Sequence, residues 1–281
     1  MQYLIAVTIL WAFSFSLIGV YLSGQVDNYF AVLMRIGVAT AVFLPLVRWG
    51  SVRLGRIWPL LAIGAVQLGL MYIFYYRSFL LLTVPEVLLF TIFTPLYVTL
   101  LYDALRLRFS PWYLATAGLA VLGAAVMRYD GLTQDYWLGF LVVQGSNLCF
   151  AAGQVAYKRL REREQAQRGD FAFFYVGALL VAFPAWLLWG QPQYPTTGLQ
   201  WGILLWLGAG ASGLGYFLWN LGATKVNAGT LAIMNNALIP AGLLVNLLIW
   251  NREANLLRLT LGGLLIVASV WVNERWAKNP S

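Results

Sequence analysis

The residues of this 281-residue chain that could do chemistry are uncharged polar and aromatic side chains set inside long apolar runs. Trp11 and Ser14 share one run, Gln67, Tyr72 and Tyr76 another, Thr91 and Thr94 a third, and Gln144 and Asn147 a fourth. Tyr216, and the pair Asn235 and Asn236, occupy two more. A polar group in hydrocarbon is costly unless it meets a partner or a wet cavity. The chemistry on offer is recognition: amides and hydroxyls exchange hydrogen bonds with a solute, and indole and phenol rings give it a stacking face. Catalysis lacks its usual parts. The chain has no histidine and a single cysteine, Cys149, which removes Ser-His dyads, imidazole relays, histidine zinc sites and thiolate clusters. No GxxxxGK[ST] loop is present to cradle a nucleotide. The chain is expected to be a non-enzyme with no metal and no cofactor.

Five further residues suit a gate. Arg35 and Arg77 fall near the outer ends of the second and third runs, and Glu86 opens the fourth. An ion pair between Glu86 and either arginine would make a structural lock or a gate, whereas a guanidinium left free would draw a substrate carboxylate. Pro95 and Pro240 each leave a carbonyl without its helical amide, which serves a ligand or a hinge.

The elements that must position these residues are transmembrane helices. The composition is 61% hydrophobic and 10% charged, so little is left for water. Hydropathy places spans at 3–22, 30–47, 57–80, 84–102, 111–127, 137–157, 171–189, 199–222, 227–249 and 259–273. Backbone amides in lipid must bond within their own helix, and the runs lack the alternation of a membrane barrel, so the class is all-α and polytopic. The net charge of +8 follows from loop bias. With a cytoplasmic N-terminus, Arg48, Arg53, Arg56, Arg106, Arg108, Lys225, Arg275, Lys278 and the basic run from Lys158 to Arg168 lie inside. Only Arg128, Arg252 and Arg258 fall outside. The positive-inside rule then puts both termini in the cytoplasm and explains the charge through the lipid bilayer, with no nucleic acid as partner. Lys158 to Asp170 reads as a solvated charged linker, although Gln144, Asn147, Gln154 and Lys158 also fall on one helical stripe that faces inward.

Two halves resemble each other weakly: an offset of 145 sets Pro95 on Pro240 and Gly118 on Gly263, and one of 140 sets Gly37 on Gly177. The repeats are expected at 1–128 and 129–281. Five crossings in each make the second copy enter from the opposite face, so ten helices form two inverted five-helix repeats enclosing one central site.

The first helix WAFSFS, the prolines 95 and 240 and the segment FYYRSFLLLTVPEVLLFTIFTPL resemble the drug/metabolite transporter superfamily in its ten-helix EamA-type branch. Within it the chain is similar to YddG-like exporters of aromatic and other amino acids. The resemblance implies a secondary transporter exporting amino acids across the bacterial inner membrane by alternating access, and the chain is expected to function as a monomer. The alternatives are export of another small metabolite or drug, or a channel. With no carboxylate or imidazole placed at mid-membrane, obligatory proton coupling is not expected.

Overall fold

A helix in hydrocarbon satisfies every backbone amide internally, and the apolar runs form helices accordingly. The structure, a computed structural model, describes residues 1–47, 49, 54–107, 111–127, 136–163 and 171–250, with short stretches between 257 and 271. Among the described residues there are helices and no strand. Eight helices are long and apolar enough to cross a membrane. In chain order, with one shorter helix added, they are α1 (Gln2–Leu22), α2 (Asn28–Leu46), α3 (Ile57–Ser78), α4 (Glu86–Leu105), α5 (Pro111–Met127), α6 (Leu138–Arg161), α7 (Ala172–Trp189), α8 (Gly198–Ala223) and α9 (Ala228–Trp250). The added helix, α5, has 17 residues, the short end of spanning length. The expected tenth span, 259–273, lies largely outside the described residues.

Helix starts are set by side chains that accept the first free amides. Asp27 accepts from Phe30 N at 2.8 Å to begin α2, and Asn227 accepts from Thr230 N at 2.7 Å to begin α9. Thr197 and Gln200 form a capping box at the start of α8. Glu86 does the same work for α4: its carboxylate accepts from the amide of Thr83 at 2.8 Å and from the Thr83 hydroxyl at 3.0 Å.

The packing has a pairwise pattern. α1 packs on α9 and α6 on α4; α2 packs on α8 and α7 on α3; α1 packs on α8 and α6 on α3. Two further pairs, α2 with α7 and α4 with α9, close the bundle. Small residues allow the closest of these approaches. A Cβ on Gly64 of α3 would lie 1.7 Å from the Phe174 carbonyl oxygen, and one on Gly177 of α7 would lie 2.0 Å from that of Leu61. The contact is therefore backbone against backbone in both directions.

Three stretches depart from regular α geometry into wide π turns: Ile18–Leu22 in α1, Ala65–Leu70 in α3 and Leu207–Leu214 in α8. The charged run after α6 departs from the sequence expectation as well. Helix continues through Arg163, and Lys158 is buried with its ammonium donating to the carbonyls of Ala223, at 2.9 Å, and Val226. A long aliphatic stem lets the cation reach the negative end of α8, which a solvated linker would have forgone.

Gly177→Ala drives a methyl into the α3 backbone and is expected to lower thermal stability in detergent by roughly 1–3 kcal/mol. Gly37→Ala, where a Cβ meets nothing within 4 Å, is expected to leave the melting temperature unchanged or raised.

Candidate functional site

Six helices and Arg35 from a seventh enclose a central cavity of about 90 Å³. α1 supplies Thr8, Trp11, Ser14 and Phe15; α3 supplies Met71, Tyr72 and Tyr75; α4 supplies Thr91 and Thr94. α6 adds Ser146, Asn147 and Phe150, α8 adds Tyr216 and Trp219, and α9 adds Asn235 and Leu238. Ligand sites usually run from about 300 Å³ upward, so admission of a solute requires these walls to part.

One side of the cavity is aromatic. Trp11 lies 4.9 Å from Trp219, 5.7 Å from Phe150 and 5.1 Å from Tyr216, measured between ring centroids, and Tyr216 in turn meets Tyr72 at 5.8 Å. The rings are fixed by their polar edges. Trp11 Nε1 donates to the Ala211 carbonyl at 2.8 Å and Trp219 Nε1 donates to Gln154 Oε1 at 2.9 Å. Ala211 lies in the π turn of α8. Tyr175 of α7 donates there too, toward Ser212 at 3.2 Å and Gly213.

The other side carries Arg35, which is 2% exposed. Its Nε donates to Ser212 Oγ at 3.0 Å, Nη1 to the Tyr76 hydroxyl at 3.0 Å and Nη2 to the Tyr72 hydroxyl at 2.7 Å. The guanidinium carbon also sits 4.3 Å from the Tyr72 ring centre and 5.6 Å from that of Tyr76, within cation–π range. All of these partners are neutral.

The helix break in α4 forms the floor. Phe90 is followed by a tight 3₁₀ turn, Thr91–Phe93, before Pro95 restarts the helix. The carbonyls freed there are clamped by amides from two other helices: Asn147 Nδ2 donates to Phe90 O at 2.8 Å, Gln144 Nε2 to the same oxygen at 3.2 Å, and Asn236 Nδ2 to Ile92 O at 3.0 Å. Pro240 lies inside the continuous helix α9.

Trp11, Ser14, Tyr72, Thr91, Thr94, Asn147, Tyr216 and Asn235 therefore meet around one cavity. Gln67, Tyr76, Gln144 and Asn236 do not line it. Gln144 and Asn236 hold the α4 break, and Tyr76 holds Arg35 from behind. Gln67 is fully buried against Gly153 of α6, where a Cβ would lie 2.0 Å from its own, and neither end of its amide finds a hydrogen-bond partner. Arg35 belongs to the cavity wall, Arg77 is exposed, and the Glu86 carboxylate caps its own helix through Thr83. Phe150 and Trp219 were not expected. Trp219 lies four residues before the end of α8, where indoles usually anchor, so its type and place in the sequence gave no signal of the cavity.

The EamA-like transporter family matches residues 137–274. The chain is 58% identical over 278 residues to a protein of Pseudomonas aeruginosa named a probable biotin transporter, covering 98% of this chain and 97% of that protein. It is 54% identical over 279 residues to a biotin transporter of Escherichia coli K12, covering 98% and 93%. A biotin transporter of Salmonella typhimurium shows 53% identity with the same coverage. A crystal structure of a protein 20% identical superposes with a TM-score of 0.80 over 99% of this chain and 98% of that one, a likeness of fold.

Asn147→Leu removes the 2.8 Å bond to the Phe90 carbonyl and keeps the longer one from Gln144. A loss of about 1–3 kcal/mol in stability is expected, read by thermal unfolding in detergent.

Proposed function

Because the chain belongs to the EamA-like transporter family and is a multi-pass membrane transporter, we propose that it carries biotin across a bacterial inner membrane. The observation that carries this reading is the composition of the cavity within a chain so similar, end to end, to biotin transporters. A ring system can lie against Trp11, Phe150 and Trp219, while Thr91, Thr94, Asn147 and Asn235 offer donors and acceptors to polar ring atoms.

The amino acid expected from the sequence gains no support from these relatives, and the lining gives a physical reason to set it aside. A zwitterion brings an ammonium group that is best met by a carboxylate, and among the described lining residues there is a guanidinium but no Asp or Glu. A solute with a carboxylate and no amine suits the site better.

Alternating access between two inverted repeats, 1–128 and 129–281, is the mechanism this reading adopts. The packing supports it. Shifting each helix by five positions turns the α1–α9 contact into α6–α4, α2–α8 into α7–α3 and α3–α6 into α8–α1, each of which is present. The π turns of α3 and α8 correspond under the same shift and give each half a deformable turn beside the cavity. Both termini are placed in the cytoplasm on the charge bias of the loops, and one copy of the chain holds the cavity alone. With no carboxylate in the described lining and no histidine in the chain, the solute moves down its own gradient without obligatory proton coupling.

Purified full-length protein in liposomes tests the reading. Saturable counterflow of labelled biotin is expected, unmoved by phenylalanine or leucine and unchanged when the pH gradient is collapsed. Counterflow driven by amino acids and not by biotin would return the assignment to amino acid export.

A further inference from the structure

Resting on the reading of biotin as substrate, we infer that Arg35 is the receptor for the substrate carboxylate and that Tyr76 is the positioning residue that holds it there. A guanidinium carries five N–H donors. The bonds to Ser212, Tyr76 and Tyr72 take one each from Nε, Nη1 and Nη2, which leaves one N–H on each terminal nitrogen. Those two N–H groups are left for carboxylate oxygens, and Arg35 lines the cavity.

Glue between helices does not account for this arrangement. Three hydrogen bonds to hydroxyls could be made by an uncharged amide, whereas a cation taken out of water costs several kcal/mol unless a negative partner meets it. Two other cations show how the fold treats such charges. Lys158 is buried onto the carbonyls that end α8, and Arg77 stays exposed. Arg35 is buried on neutral partners and faces a cavity, an arrangement that a negative ligand completes.

The rings extend the assignment along the cavity. From Arg35 the contacts run to Tyr72, from Tyr72 to Tyr216, and from Tyr216 to the cluster of Trp11, Phe150 and Trp219. The substrate lies with its carboxylate at Arg35 and its ring system at that cluster, so the free acid is carried and neutral derivatives of the same ring are rejected. Tyr76 stands outside the cavity. Its hydroxyl meets the receptor at Nη1 of Arg35, and losing that hydroxyl loosens the receptor while the ring, and the wall, stay in place.

The test is counterflow of labelled biotin by the full chain in liposomes. In the unaltered protein, unlabelled free acid is expected to compete at least about tenfold better than its methyl ester or primary amide, as for any site built to pair with a group the analogue lacks. Arg35→Gln is expected to lower kcat/KM for the acid by at least about tenfold and to shrink the gap between acid and amide. Tyr76→Phe is expected to raise KM several-fold with kcat held within about twofold. The competition experiment needs no variant, so a poorly folding Arg35→Gln protein cannot rescue the idea. Ester and acid competing equally in a protein that carries biotin would overturn this inference alone, as would an Arg35→Gln protein with the gap intact. Absence of biotin counterflow by the unaltered protein would overturn the substrate reading beneath it.

Discussion

A guanidinium held out of water by neutral hydroxyls is the constraint around which the centre of this molecule is arranged. Arg35 reaches Tyr72 and Tyr76 on α3 and Ser212 on α8, so one side chain from α2 ties three helices at the cavity wall. Tyr72 and Ser212 also bond each other at 2.9 Å, which closes the arrangement on itself. Both helices so tied carry a wide π turn, and Ser212 lies within that of α8. A solute that changes how Arg35 is held therefore acts directly on Ser212, within the π turn of α8.

The second constraint is that irregular backbone in lipid must find partners elsewhere. The π turn of α8 gives its carbonyls to Trp11 and Tyr175, and the break in α4 gives its carbonyls to Asn147, Gln144 and Asn236. Side chains that look like a binding set in the sequence are thus of two kinds. Some face the cavity, and others keep its broken walls satisfied. Asn147 does both, since it lines the cavity and holds Phe90.

That division explains what was legible in the sequence. A polar side chain amid apolar neighbours must point inward, so Trp11, Tyr72, Thr91, Thr94, Asn147, Tyr216 and Asn235 could be nominated by type and place. Depth along a helix and the identity of the partner could not. Tyr72 and Tyr76 are one turn apart on the same face, yet only Tyr72 reaches the cavity. Glu86 stands out in the sequence by its charge alone, and the structure adds that its carboxylate accepts from the backbone amide of Thr83. Phe150 and Trp219 resemble lipid-facing residues by type, and only three-dimensional packing separates them from such residues. The π turns were not foreseen, since wide turns depend on the neighbours that accept their spare groups, although the glycine-rich run Leu207–Leu214 marks a place where a helix is easily deformed.

The most direct measurement is an experimental structure of the full chain with biotin bound in a lipid environment. Carboxylate oxygens are expected within about 3 Å of Nη1 and Nη2 of Arg35, the range of charge-assisted hydrogen bonds, with the rings against Trp11 and Trp219. A ligand bound with its carboxylate away from Arg35, or outside this cavity, would contradict it.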